Sequence, residues 1–472
     1  MKISVYLYNI YVVLINLIAS FSVKISDRAR SVMMNGSLFL LSGLFMLRYC
    51  SKDIRGFLHY SDYQIAAPVI LLLVLLIASI DRKVGLKRSG GFSLLFGTGW
   101  WICFVIMVIT SFIYPVRGEY LCWGILSITV FPLFMIIWNK RGDYYGFCRL
   151  IAVNMVQISY IYLALNLIMS AFITNEFYAE GLDDGFLGIA ANPNSNGMIV
   201  LPFFTAALYL LLTERKRRFV YLFSMAFSLM LIIISTTRAS EAAVIPEVIA
   251  AAVLYLRHRD LYRHHRLSAV SLAVIAGAVA LSVLAGCILM YFDRTDLNAY
   301  AIAEETKETE ETEEWTPLVD EMSEAAAVVY GNETLTKLNA VSSGRLLLWL
   351  AYTKVLKFTG HGNPRGEVFM GHPNSKWAHN NAIDIWYASG FIAFAGYLIW
   401  LLAGWIFVFR SIIAGNSFRK EHLFTVLAFI GYFVEAMLEI TIYPTNTGIV
   451  FLMYMTLAPV AFSKLSEKTE HQ

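Results

Sequence analysis

The sequence predicts an all-α polytopic membrane protein, with about 12–13 transmembrane helices and a long extracytoplasmic loop containing an amphipathic helix. Three observations predict it. Of 472 residues, 58% are hydrophobic and only 15% are charged, where a soluble chain carries roughly a quarter charged residues. Apolar runs long enough to cross a bilayer recur along the chain. Basic clusters fall in every second connection between them.

A span needs about 20 mostly apolar residues. Candidates lie at 3–23, 31–48, 63–80, 92–113, 117–138, 147–173, 195–213, 219–236, 239–256, 268–291, 382–409, 421–440 and 446–463. The first, MKISVYLYNIYVVLINLIASFSVK, has an early lysine and an apolar run like a signal peptide. It lacks a small-x-small cleavage site followed by a soluble domain, so it reads as a transmembrane helix. Residues 1–291 form an N-terminal bundle of about ten helices by the same length rule. Residues 292–381 form the long loop, and residues 382–472 the C-terminal helices and a short tail.

Basic residues orient the chain. Lys24/Arg28/Arg30, Arg82/Lys83/Lys87/Arg88, Lys140/Arg141/Arg149, Arg215–Arg218, Arg257/Arg259/Arg263/Arg266, Arg410/Arg419/Lys420 and Lys464/Lys468 hold 23 of the 37 Lys and Arg. This alternation puts the long loop and the N-terminus outside and the C-terminus inside. A net charge of +3 gives no reason to expect a nucleic-acid partner. The five cysteines, Cys50, Cys103, Cys122, Cys148 and Cys287, lie in or beside apolar segments. They make neither a disulfide framework nor a zinc ligand set.

Within the loop, residues 304–314 (EETKETEETEE) bury too little apolar surface to order themselves and read as a spacer. Further on, Leu346, Trp349, Leu350, Thr353 and Leu356 recur at helical spacing, with Arg345, Lys354 and Lys357 on the polar side. That pattern is an amphipathic helix on the membrane surface or over the bundle. Gly360, Gly362, Pro364, Gly366, Gly371 and Pro373 then break regular structure. An irregular polar stretch at the mouth of a helix bundle is a natural binding site.

Four outward segments carry polar residues: AANPNSNG at 190–197, STTRASE at 235–241, SSGR at 342–345, and GHG at 360–362 followed by AHNNAIDIWYASG at 378–390. Arg238 has two readings: snorkelling or an i,i+3 pair with Glu241, or a guanidinium fork on a phosphate or diphosphate. Arg345 poses the same choice, and a cation at a helix start opposes the dipole, which favours a ligand. His379 opens a helix, where the dipole disfavours imidazolium and leaves a neutral base. Asn380, Asp384 and Tyr387 continue a polar stripe, and Asp384 is placed to orient the histidine or hold an arginine. His361 and His372 are further candidates, without metal-ligand spacing. Glu435 and Glu439 lie one turn apart in an apolar helix, so each is functional or ion-paired, with Arg238 or Arg345 as natural partners.

These segments together resemble the bacterial O-antigen ligase and polymerase family, polytopic inner-membrane proteins with a long periplasmic loop late in the chain. The resemblance rests on SGRLLLW at 343–349, GHG at 360–362, AHNNAIDIWYASGFIAF at 378–394, STTRAS at 235–240 and the Pro-Asn of NPN at 192–194. Ala393 stands where the family commonly has a second glycine, and ten helices precede the loop where nine are usual. The resemblance implies a glycosyltransferase using an undecaprenyl-diphosphate-linked oligosaccharide, with no cofactor, metal or nucleotide sugar. His379 would be the general base, supported by Asn380 and Asp384. Arg238 and Arg345 would bind the diphosphate, with His361 and Asn194 as further substrate-binding candidates. Its partners would be the lipid bilayer, the lipid-linked donor, a chain-length regulator and a flippase.

Three functions follow as alternatives. One is polymerisation of surface polysaccharide repeat units (O-antigen, capsule or similar) on the outer face of the bacterial plasma membrane. A second is ligation of the finished glycan to lipid or protein. The third, of another class, is a lipid-linked oligosaccharide flippase or transporter, which should show repeated halves and charged or broken helices at mid-membrane.

Overall fold

The computed structural model describes residues 2–51, 54, 65–81, 91–114, 118–172, 186–258, 277, 280–282, 284, 320–342, 344–361, 378–413, 419–439, 441 and 446–462. Apart from an isolated bridge between Cys50 and Ala190, these residues contain no β structure. The helices are α1 (Lys2–Ser22), α2 (Asp27–Arg48), α3 (Ala67–Ser79), α4 (Leu94–Ile113), α5 (Gly118–Arg141), α6 (Tyr144–Phe172), α7 (Pro193–Thr213), α8 (Arg218–Ile234) and α9 (Arg238–Arg257). After a gap come α10 (Asp320–Tyr330), α11 (Glu333–Val341), α12 (Arg345–Lys354), α13 (Asn381–Ser389), α14 (Phe391–Ile413), α15 (Lys420–Leu438), α16 (Gly448–Met455) and α17 (Ala458–Ala461).

The protein is an all-α, multi-pass membrane protein. Among the described residues nine helices are long and apolar enough to cross a bilayer: α1, α2, α4, α5, α6, α7, α9, α14 and α15. Their outward faces carry large apolar side chains such as Leu17, Phe112, Leu167, Ile245 and Leu402, which lipid solvates. In contrast, α7 is enclosed on nearly all sides, as expected of a helix apolar all round.

Four expected spans take another form, and a fifth, 268–291, lies largely outside the described residues, as do the acidic run and His372. Helix α3 and helix α8 are apolar but short. The segment 382–409 is two helices, α13 and α14, parted at Gly390 (φ +86°). A Cβ there would collide with the Phe358 carbonyl, and one on Gly360 (φ +76°) with the backbone of residues 388–390. This backbone-to-backbone seam admits only glycine. The segment 446–463 is the broken pair α16 and α17, buried throughout. It still joins the two ends of the bundle. Asn446 accepts a hydrogen bond from Tyr49 (3.0 Å) at one end, and the Ala461 carbonyl accepts one from Ser93 N–H (2.7 Å) towards the other.

Basic residues collect at one end, here the basic end. Arg141 pairs with Asp81 (3.0 Å), Arg149 with Glu214 (2.8 Å), and Arg257 donates to the Ile413 carbonyl (3.2 Å). The opposite end holds the starts of α7, α9, α13 and α16 and is covered by α10–α12. Residues Ala325, Ala351, Tyr352, Ala378 and Tyr387 form a small second core beneath this cover. The amphipathic helix thus lies over the bundle. Its polarity differs from the sequence reading: Arg345 is buried on the inward side, and the helix ends at Lys354.

The tightest crossing is between α4 and α14. Gly99 and Gly396 face each other there, and a Cβ on Gly396 would lie 2.5 Å from the Cys103 nitrogen. Small residues let the two backbones meet. Gly396→Val should therefore lower stability by about 1–3 kcal/mol through overpacking, read as a lower Tm of the detergent-purified protein. An unchanged Tm would contradict this close approach.

Candidate functional site

His379 immediately precedes the cap of α13 and sits in the left-handed region (φ +51°). Non-glycine residues hold this conformation only where the surroundings over-determine it. Here six hydrogen bonds do so. Asp384 accepts Ala378 N–H at Oδ1 (3.0 Å) and Asn380 N–H at Oδ2 (3.3 Å), gripping the backbone on both sides of the histidine. Trp349 Nε1 of α12 donates to the Ala378 carbonyl (2.8 Å). The Asn380 side chain caps α13 by accepting from Ala382 and Ile383 N–H, and donates to the Met437 carbonyl (3.2 Å).

The imidazole meets Glu439, just past α15, with Nδ1 3.1 Å from Oε2. The other carboxylate oxygen, Oε1, accepts from the Arg345 guanidinium. Glu439 and Arg345 keep only 7% and 9% of their side-chain surface, whereas His379 keeps 28%. A carboxylate beside Nδ1 fixes the tautomer with hydrogen on Nδ1 and the lone pair on Nε2. Among the described residues Nε2 has no hydrogen-bond partner. The arrangement Arg345–Glu439–His379 therefore leaves Nε2 as a basic nitrogen and can stabilise the imidazolium formed when that nitrogen takes a proton.

Asp384 is fully enclosed, and burial pushes its carboxyl up from 3.8 to about 7. The Ala378 amide, the His379 charge and the Asn380 amide oppose that shift. The folded chain thus holds a proton at pH values where the unfolded chain has lost it. The resulting stabilisation is complete below about pH 4 and is lost as pH rises through about 7. Wild-type Tm should fall across that window, and Asp384→Asn should flatten the slope. Equal slopes would exclude Asp384 as its source.

The remaining candidates separate. Arg345, read as a ligand because its local reason was weak, has a protein partner 94 residues away, Glu439. Arg238 is exposed at the first turn of α9. Gly431 of α15 abuts Glu247 of α9, which sets their register. From that contact both helices climb about 12–14 Å to Arg238 and Glu439, so these two share a level. Asn194 is exposed in the first turn of α7, and this turn meets α9 where Gly197 packs on Thr237. Its neighbours have other tasks. Asn192 caps α7 through Ser195 N–H (2.7 Å). Asn196 is buried between Tyr162 (2.6 Å) and Ser235 (2.7 Å). His361 is not brought to His379. It stacks on Tyr387 at 4.2 Å, two turns along α13, and its Nε2 lies 2.7 Å from the Val355 carbonyl.

Sequence reasoning offered Arg345 as a natural partner of Glu439, as the structure has it, but placed neither Glu439 nor Trp349 at His379. The signal for Glu439 was present, a carboxylate at i+4 from Glu435 in an apolar helix. Trp349 read only as an apolar stripe. Among the described residues no group of three or more His, Cys, Asp or Glu could hold a metal ion. Comparisons with family models, curated proteins and solved structures find no match to the chain.

Proposed function

We propose that this chain is a membrane glycosyltransferase that lengthens a surface polysaccharide on the outer face of a bacterial plasma membrane. Its donor would be a repeat unit linked to undecaprenyl diphosphate. The observation that carries this reading is the His379 base, held by Glu439 and open at Nε2, at the end of a lipid-facing bundle. A sugar–diphosphate donor with a lipid tail needs a bilayer-embedded protein, a base for the acceptor hydroxyl and positive groups for the leaving diphosphate.

Nε2 takes the proton of an acceptor hydroxyl as its oxygen bonds to the donor's anomeric carbon. The glycosidic C–O bond breaks, and its electron pair leaves on the carrier diphosphate. Arg238 and the neighbouring starts of α7 and α9 face that developing charge with a guanidinium and the positive ends of two helix dipoles. Arg345 contributes through Glu439, and Asp384 and Asn380 through the backbone of His379. Asn194 lies at the same helix starts, as a contact to the saccharide or its phosphate.

Two features favour a carrier of lipid-linked saccharide as the second reading. One is the broken α16–α17 segment, and the other is the buried acids Glu247 and Glu435. Glycan profiling of a strain lacking the protein separates the readings. Carrier-linked single repeat units accumulating outside indicate the polymerase, and carrier-linked long chains a ligase. Repeat units trapped on the inner leaflet indicate the carrier and contradict transfer.

A further inference from the structure

Two acids lie below the site and take no part in the proposed transfer. Glu247 of α9 and Glu435 of α15 are both fully buried. Neither has an ion-pair partner among the described residues. An unpaired charge in such surroundings is costly enough that the group neutralises instead.

Among the described residues a single hydroxyl reaches each carboxyl. The Thr205 hydroxyl lies 3.0 Å from the Leu201 carbonyl and 2.9 and 3.1 Å from the two oxygens of Glu247. One hydroxyl hydrogen cannot serve all three contacts. With that hydrogen on the Leu201 carbonyl, the short contact to Glu247 needs a proton on the carboxyl. Glu435 accepts from Thr447 Oγ1 (3.2 Å) at Oε2, while its buried Oε1 has no partner. As a charged oxygen, Oε1 would be buried without a donor. The pocket is also shaped for an acid, because Gly431 leaves the space that the Glu247 carboxyl fills.

Glu435 lies in the last turn of α15 with Glu439 four residues on, just past the helix, and the Glu247 carboxyl packs on Gly431, one turn before Glu435. Among the described residues, the other titratable or charged groups around them are Tyr432 on α15, Tyr397 on α14 (hydrogen-bonded to Tyr432 at 3.1 Å), Arg238 and Glu241 in the first turn of α9, and, past Glu439, His379 and Arg345. Helices α7 and α16 contribute the hydroxyls of Thr205 and Thr447. The Arg345 guanidinium is already occupied by Glu439.

We propose that Glu247 and Glu435 form a proton-binding site inside the bundle, and that the proton held there lets Glu439 keep its negative charge for Arg345 and His379. The site itself stands on the packing of α7, α9, α15 and α16. Its consequence for the outer site rests on the transfer reading above. When Glu435 loses its proton, two carboxylates one turn apart share a single cation. The link from Glu439 to His379 then weakens.

Infrared spectra of the purified full-length protein test this without any activity. The wild type should show carboxylic C=O absorption near neutral pH that shifts in heavy water and is lost in part in E247Q and in part in E435Q. Dicyclohexylcarbodiimide, which attacks protonated carboxyls in apolar sites, should give an adduct at Glu435 or Glu247 of the wild type, so a misfolded variant does not remove the test. Absorption left unchanged by both E247Q and E435Q, together with no adduct, would mean two ionised acids and would overturn the site. In the transfer assay, E435Q should stay active at alkaline pH where the wild type declines. An unchanged alkaline limb would overturn the coupling to Glu439, while the infrared result still decides the proton site.

Discussion

Replacing His379 with alanine should lower surface-glycan polymerisation about 10²–10⁴-fold, the usual worth of a general base. Protein level and Tm should change little, because the backbone around position 379 is held from outside the imidazole. The Asp384 carboxyl grips residues 378 and 380, Trp349 grips the Ala378 carbonyl, and Asn380 caps α13. Alanine in the left-handed region costs about 1–2 kcal/mol, which a folded cover tolerates. Glycine at 379 relieves that strain and serves as the cleaner control. Full-length chains in both variants would remove His379 from the mechanism. A loss of protein in both would instead assign the imidazole to the fold.

The second large effect belongs to the Arg345–Glu439 pair. Removing Glu439 leaves Arg345 buried without its ion-pair partner, and removing Arg345 leaves the buried Glu439 with His379 alone; breaking such a pair costs about 3–5 kcal/mol. Arg345→Met and Glu439→Gln should each loosen the cover of α10–α12 and lower the Tm. The double variant should be more stable than the sum of the two losses, because no lone charge remains. Activity separates the partners differently. Glu439→Gln keeps a hydrogen-bond acceptor for Nδ1 but removes the charge that stabilises the imidazolium, so kcat should fall more than KM changes. If Arg345 instead grips the donor diphosphate, Arg345→Met should raise KM with Glu439 intact. Additive losses of stability would deny the pair its energetic coupling.

The span pattern was largely legible because each span must bury its own backbone polar groups, which writes long apolar runs into the chain. Its exceptions arise from tertiary packing. The break between α13 and α14 comes from Gly390 meeting Gly360, a contact 30 residues apart in sequence. Nothing local distinguishes Gly390 from a helical glycine. The break after Met455 occurs where the Thr456 carbonyl turns to Tyr144 (2.7 Å) and Thr425 (3.0 Å), both distant in sequence.

The site was legible as a segment and less so as a set of partners. His379, Asn380 and Asp384 could be picked out because polar residues at a helix start need a reason. Asp384 supports the histidine, although through the two flanking amides rather than the ring. The part that dipole reasoning missed is the negative charge of Glu439, brought to Nδ1 from 60 residues away. Arg345 likewise had no local partner in sequence, and the ligand reading filled that gap. At NPNSN, helical phase decides which asparagine is buried. Asn196 turns inward to Tyr162 and Ser235 while Asn194 faces out, and the motif by itself does not set that phase.

The most direct test is transfer by the purified protein in liposomes. The components are an undecaprenyl-diphosphate-linked repeat unit and a metal chelator, with no nucleotide sugar. Wild-type protein should convert the repeat unit into longer carrier-linked chains and release undecaprenyl diphosphate, and His379→Gly protein should not. Movement of the intact donor across the bilayer without chain growth, or equal growth with both proteins, would contradict the account.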